Sequence, residues 1–443
     1  MCLGRLESPL RRNTKHNNLE TILVLLLALD RSTLLQFSRK LLVVAVLRLR
    51  PVIKDMMRPS SLADADPDGP KNKEEVLARI REVRDSPGLK DYPLYSRSWK
   101  ELCPTVVNEA SRRIRVMQFN LLAEGLSADP EIKAPFEDGR FGKKSDKSTW
   151  GGFDSIQEPG VVLNFSTRKY RILEEILRHD PDIIALQEVD RYHDFFGPLL
   201  DHLGYDSRWS CKLDSPSLKF GYFSDGVSIC WRKDRFDLIE DVTDNEVEFK
   251  EEQINVNHVL LTLKPKDWAG EPFVCVTTHL KAKATAENEQ IRSKQITALL
   301  TKVTGFAREH NAGERILLCG DFNCDPFDIY KTEGGQRELD YRAICVPHIE
   351  ESFPNICSAY PLMYAAENAD AENSDKWLWT TWKRRTESGE IKHSIDYIYY
   401  DKNNFKCTQI LLPPDSESVL EHRLPCYKYP SDHISIVADF DFI

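Results

Sequence analysis

Several short apolar runs with the make-up of buried strands follow one another with no helical pattern between them: "GVSICWR" at 226–232, "HVLLTLK" at 258–264 and "FVCVTTHLKAK" at 273–283. Elsewhere strand and helix patterns alternate. "RRIRVMQFNLL" (112–122) reads as a strand, "TRKYRILEEILRHD" (167–180) as a helix with Ile172, Leu173, Ile176 and Leu177 in its apolar stripe, and "DIIALQEV" (182–189) as another strand. A long helix through 287–309 precedes "RILLCGDFN", and "HSIDYIYY" (393–400) and "DHISIVADFDF" (432–442) close the series. Strands in succession without crossover helices point to a mixed sheet packed on another sheet, with helices outside.

Four of these strands end in, or carry, an acid or an amide: Asn120 after "VMQF", Glu188 in "LQEV", Asp321 and Asn323 in "GDFN", and Asp396 in "SIDYIYY". The period-two alternation of an extended chain points Asp321 and Asn323 the same way, with Gly320 read as a point where the backbone bends. Taken alone, each is an ordinary polar strand exit or turn residue. Together they offer oxygen ligands suited to a hard divalent cation, and Asp432-His433 at the start of the last strand adds a titratable imidazole.

Composition narrows the function classes. The chain has 443 residues and 41% hydrophobic content, enough for a sizeable core without metal or disulfide staples. Its eleven cysteines include no CxxC pair and are odd in number, which fits reduced thiols and speaks against a structural zinc site. The net charge of −10 divides unevenly, because residues 1–58 hold eleven Lys/Arg against four acids, leaving +7 there and −17 in the remainder. An acidic body argues against a long nucleic-acid track, while a few local cations suffice for a small phosphorylated ligand.

The apolar stretches "TILVLLLAL" (21–29) and "LLVVAVL" (41–47) are too short for a membrane span, which needs about 20 residues. Residues 1–58 read equally well as a mitochondrial presequence or as a disordered tail, so the expected location is cytoplasm, mitochondrion or both. Residues 59–75 read as a linker and 76–111 as a helical lead-in, with Val76, Leu77 and Ile80 on one side of an amphipathic helix spanning 74–84. The main folded unit is expected over 112–443.

In that order, "LQEVD", "THLKAK", "GDFN", "IDYI" and "SDH" resemble the endonuclease/exonuclease/phosphatase superfamily. The resemblance implies a deoxyribonuclease I-like two-sheet α/β sandwich with mixed sheets and helices outside. It further implies that Glu188 ligates Mg²⁺ (or Mn²⁺) with Asn120 close by, and that Asp432 completes the acidic cluster. Asp321 and Asn323 would position the attacking water and the phosphoryl oxygens, His433 would act with Asp396 as its orienter, and His279 would stabilise phosphoryl charge. That division suits phosphate-ester hydrolysis, which needs a cation, a positioned water and a proton acceptor.

The branch most resembled removes the 2′-phosphate from NADP⁺ and NADPH, using a lysine that Lys212 matches and an arginine whose place is taken here by Lys283. If the strand persists past His279, Lys281 and Lys283 share its face and form a basic row. The expectation is thus a monomeric NADP(H) 2′-phosphatase. A poly(A) 3′-exonuclease and a catalytically silent binding protein are the alternatives.

Overall fold

A computed structural model describes residues 69–103, 112–128, 134, 150–153, 155–266, 270–326, 329–330, 341–342, 345–360, 379–386 and 388–443. The basic segment 1–58 and the start of the linker lie outside the described residues. Helix α1, Lys73–Arg84, begins inside the stretch read as linker. Asn72 sets the boundary: its side chain accepts from the Glu75 amide at 2.9 Å, and Glu74 and Glu75 in the first turn complement the helix dipole.

Two mixed sheets follow. The first runs in the order β1 (Trp99–Glu101), β14 (Phe405–Leu411), β15 (Ile436–Phe442), β2 (Arg113–Asn120), β3 (Ile183–Gln187), β5 (Gly226–Arg232), β4 (Tyr205–Cys211). The second runs β10 (Ile356–Ser358), β13 (Asp396–Asp401), β9 (Ile316–Asp321), β8 (Phe273–His279), β7 (Asn257–Pro265), β6 (Phe236–Val242). Each has one parallel pair, β2 with β3 and β8 with β9, and every other pairing is antiparallel. Helix α2 (Phe165–His179) joins the first parallel pair and α3 (Ala286–Glu309) the second, as a parallel connection requires. The two-sheet sandwich expected from the succession of strand patterns is therefore what the chain forms.

Alternation explains the layers. Val116, Ile183, Ala185, Ile229, Cys275, Leu317, Cys319 and Ile398 share one core between the sheets. Met117, Phe119, Ile184 and Leu186 point the other way, onto Ile172, Leu173 and Ile176 of α2. Val274, Val276 and Leu318 meet Ile296, Leu299 and Val303 of α3. At roughly 1.5–3 kcal/mol for each fully buried large aliphatic side chain, these faces supply most of the driving force for folding.

Gly320 does not bend the chain, since it lies inside β9. A Cβ there would sit 2.6 Å from the Thr278 carbonyl oxygen, so the glycine is required by close approach of the paired strand.

Candidate active site

The inward phase of each central strand changes from apolar to polar on approaching one end of the sandwich. It reads Val116, Gln118, Asn120 on β2; Ile183, Ala185, Gln187 on β3; Cys275, Thr277, His279 on β8; and Leu317, Cys319, Asp321 on β9. Registers align these ends: Asn120 pairs with Gln187, His279 with Asp321, and Asp321 with Asp396. Because both parallel pairs run to the same mouth, their terminal side chains converge.

The backbone turns sharply just beyond these strands. Leu122, Glu188, Lys283 and Asn323 have φ of 58°, 56°, 78° and 50°, one after each strand of the two parallel pairs. Left-handed backbone costs a non-glycine residue about 1–2 kcal/mol, and such residues concentrate at functional sites. Glu188 therefore stands just past β3 rather than within it, half-buried, and its Oε2 accepts from the Ala123 amide at 3.1 Å. Asp190, two residues on, accepts from the Gly125 amide at 2.9 Å and ties this turn to the one after Asn120.

Asn120 bridges the sheets. Its Nδ2 donates to Asp321 Oδ2 at 2.9 Å and to Glu188 Oε1 at 3.2 Å, while its Oδ1 accepts from the Leu122 amide at 3.0 Å. Asp321 Oδ1 accepts from the Asn323 amide at 2.9 Å, and Asn323 Nδ2 reaches the Leu280 carbonyl at 3.2 Å. Burial, with Asp396 close by, raises the Asp321 carboxyl to about 7.

His433 and Asp432 lie in the loop ahead of β15, not in the strand itself. His433 Nδ1 is 2.8 Å from Asp396 Oδ2, and Asp396 Oδ1 accepts from Gln118 Nε2 at 3.2 Å. Burial alone would lower the imidazole pKa, but the Asp396 charge carries it up to about 9. His433 is thus an imidazolium at neutral pH. Its Nε2 lies 3.9 Å from Asp321 Oδ2. His279 is the opposite case: burial, then the nearby Lys212 cation, hold it well below the usual histidine range and so neutral. Its Nε2 stands 3.6 Å from Asp321 Oδ2.

Ligand atoms of Asp321, Asp396 and His433 all lie within 4.8 Å of one another. Two buried carboxylates, one held up near 7, leave room for positive charge, and Glu188 adds a further oxygen donor hydrogen-bonded to Asn120. The carboxylate oxygens of Glu188, Asp321 and Asp396 are hard donors that fit a divalent cation. Asp432 adjoins this group, its Oδ2 4.0 Å from His433 Nε2, and also pairs with cations: Oδ2 is 2.6 Å from Lys383 Nζ and 3.2 Å from Arg385 Nη2, and against the effect of burial these charges hold its carboxyl well below the usual range.

Lys383 and Arg385 were missed in the sequence, as were Gln118, Gln187 and Thr277. The two cations sit on β11 (Thr381–Arg385), which pairs with β12 (Gly389–His393) in a hairpin beside the His433 loop. Their signal was the alternation in "TWKRR", which puts Lys383 and Arg385 on one face. Gln187 Nε2 donates to Gln118 Oε1 at 2.7 Å and to Thr277 Oγ1 at 2.9 Å, a polar layer beneath the mouth readable from the same strand phase. The expected row after His279 does not form as a strand face. β8 stops at His279, Lys281 and Lys283 are exposed, and buried Arg292 gathers both their carbonyl oxygens at 2.9 Å. Lys212 follows β4, half-buried, close enough to act on His279 and on buried Asp225.

A sandwich of this topology with acids, amides and two histidines at one mouth defines a hydrolase of the nuclease and phosphatase type, acting on phosphoric esters. The chain belongs to the Endonuclease/Exonuclease/phosphatase family, matched over residues 150–433. Within it, the nocturnin of Rattus norvegicus is 33% identical over 391 residues, covering 87% of this chain and 78% of the relative. The Homo sapiens nocturnin is 32% identical over 394 residues, covering 87% and 77%. The solved human nocturnin catalytic domain with bound sulfate anion superimposes with a TM-score of 0.54 at 28% identity, covering 79% of this chain and 97% of that one. ANGEL2, a 2′,3′-cyclic phosphatase in complex with adenosine-2′,3′-vanadate, shares the fold with a TM-score of 0.54 at 22% identity, covering 79% and 99%. Among the described residues no helix is long and apolar enough to cross a membrane.

Proposed function

We propose that this chain is a Mg²⁺- or Mn²⁺-dependent phosphatase that removes the 2′-phosphate of NADP⁺ and NADPH to give NAD⁺ and NADH. The observation that carries the hydrolytic reading is the pairing of a charged His433, 2.8 Å from Asp396, with an Asp321 carboxyl held near 7. One group can take a proton near neutral pH while the other offers positive charge.

In this reading water attacks phosphorus, the bond from phosphorus to the ribose 2′-oxygen breaks, and that oxygen leaves as the ribose hydroxyl, taking its proton from solvent. Asp321 orients the water and takes its proton, with Asn120 and the Asn323 amide fixing the carboxylate. Nε2–H of His433 and neutral His279, whose Nε2 atoms stand 3.9 and 3.6 Å from Asp321 Oδ2, would donate to the phosphoryl oxygens. Glu188, its carboxylate fixed by Asn120 and the Ala123 amide, would hold the divalent cation, which when bound offsets charge on the phosphoryl oxygens. Asp432 keeps Lys383 and Arg385 beside His433.

The choice of substrate is supported by similarity to the nocturnins and by the charge pattern. Lys212 near His279 and the Lys383/Arg385 pair on Asp432 are local cations at the mouth, and the chain beyond residue 58 carries −17. A terminal phosphate and a pyrophosphate are separate anionic groups that such cations can hold without a continuous basic groove. The related human catalytic domain binds sulfate, a tetrahedral dianion like a phosphomonoester. We assign residues 1–58 to mitochondrial delivery of part of the protein. A fluorescent fusion that stayed uniformly cytosolic would contradict that assignment.

The substrate reading is tested by following NADPH by liquid chromatography in the presence of Mg²⁺. Appearance of NADH with one phosphate released per turnover, lost on adding EDTA and absent in Asp321→Ala, is the expected result; unchanged NADPH would overturn it.

A further inference from the structure

The loop that delivers Asp432 and His433 belongs to no strand, yet its two ends are closed onto one another. The Ser435 amide donates to the Tyr429 hydroxyl at 2.8 Å, and Tyr429 OH and Ser435 Oγ both donate to Glu175 Oε1, at 3.0 and 2.9 Å. Glu175 comes from α2 and its side chain is wholly buried. Between these ends, Ser431 Oγ donates to the Asn120 carbonyl at 2.6 Å and accepts from the His433 amide at 3.2 Å. The loop is thus fastened at its middle to β2 and at both ends to one carboxylate.

That carboxylate has a partner from far upstream. Arg97, in the segment between α1 and β1, has a wholly buried side chain whose Nη1 lies 3.3 Å from Glu175 Oε1 and 2.9 Å from Ser435 Oγ. Its remaining N–H groups reach the carbonyls of Leu412 at 2.8 Å and Leu411 at 3.3 Å, where β14 ends. Helix α2 holds the same segment from the other side, Arg171 donating to the Tyr92 carbonyl at 2.8 Å and Arg178 to that of Tyr95 at 3.0 Å. A buried ion pair is weak evidence for stability by itself, because desolvation offsets much of the attraction. This one sits where both ends of the site loop meet.

We infer that Arg97 and Glu175 are positioning residues for hydrolysis, holding the 429–435 loop so that His433 meets Asp396 and Asp321; this rests on the assignment of His433 to the hydrolytic site. The segment 92–98 is then a working part of the catalytic unit rather than a lead-in to it. Misplacing a reacting group by about 1 Å can cost on the order of 10²-fold in rate while leaving substrate contacts elsewhere intact.

The test compares wild type, Arg97→Met and Glu175→Gln in the full chain, with NADPH and with a nitrophenyl phosphoester, alongside hydrogen–deuterium exchange. Arg97→Met is expected to lower kcat by about 10- to 100-fold with KM changed less than about two-fold. Glu175→Gln, whose amide oxygen still accepts, should lose less. Faster exchange in Arg97→Met should be confined to residues 429–435 and 92–98. A folded Arg97→Met with wild-type kcat, a loss carried by KM, or exchange accelerated throughout the chain would each overturn the proposal. Should Arg97→Met not fold, Ser435→Ala removes the connecting hydroxyl alone, and an unchanged kcat there overturns it equally. A wild-type protein that hydrolyses neither ester refutes the hydrolytic reading, whereas the exchange pattern still decides whether Arg97 orders this loop.

Discussion

Nδ1 of His433 and Oδ2 of Asp396 stand 2.8 Å apart although the first lies in a loop and the second opens β13, so two separate backbone segments fix one charged pair. Asp396→Asn preserves the shape and the acceptor for Gln118 but removes the charge that keeps His433 protonated. Turnover should fall by about 10²-fold or more, with the melting temperature little changed, as read by phosphate release and calorimetry. A variant with wild-type turnover would contradict the pairing.

How much of this was legible depended on whether the signal was periodic. Apolar runs placed Asn120 and Asp321 at strand ends, and the strand succession suggested two sheets, because buried strands leave an unbroken apolar trace, whereas the alternation pairing Asp321 with Asn323 stops at Asp321, Asn323 turning off β9 in a left-handed conformation. Glu188 was read inside a strand because nothing in "IALQEVD" marks the left-handed turn that carries it out. The Lys281/Lys283 row relied on β8 continuing, but Arg292, eleven residues beyond Lys281, captures the carbonyl oxygens there. Lys383 and Arg385 approach Asp432 only through tertiary packing of a hairpin, a contact about fifty residues long in sequence that local pattern does not show.

Glu188→Ala should abolish turnover while leaving the melting temperature unchanged or raised, since removing a carboxylate from a cluster of acids relieves repulsion. Scanning fluorimetry and phosphate release measure both effects. EDTA should silence the wild-type enzyme, and turnover persisting in EDTA would contradict the cation requirement.

The cation beside His433 should matter more than the exposed one after β8. Lys383→Met is expected to cost on the order of 1.5–3 kcal/mol in kcat/KM for NADPH, the range for a hydrogen bond to a charged group. Lys283→Ala should cost less, because Lys283 is exposed and off the strand. Steady-state kinetics on both variants decide the order, and the reverse order would move the phosphate site toward the β8 rim.

Stability should depend on pH through Glu175. Its carboxyl is buried, which alone would raise the pKa, yet His179 and Arg97 hold it down at about 2. A folded-state pKa below the unfolded value of about 4.3 gives stability that is complete above the unfolded pKa and disappears as pH falls toward 2. The contribution is on the order of 3 kcal/mol. Urea midpoints measured from pH 6 to about pH 2 should show this loss, and Glu175→Gln should flatten the curve; an unaltered slope in that variant would contradict it.

The central claim is tested most directly by giving one Mg²⁺-loaded preparation NADPH and poly(A) in parallel and measuring initial rates of phosphate and nucleotide release. Phosphate release from NADPH far faster than nucleotide release from poly(A), with both activities lost in Asp321→Ala, is the predicted result. Efficient shortening of poly(A) with NADPH left intact would contradict the account and assign the same mouth to a 3′-exonuclease.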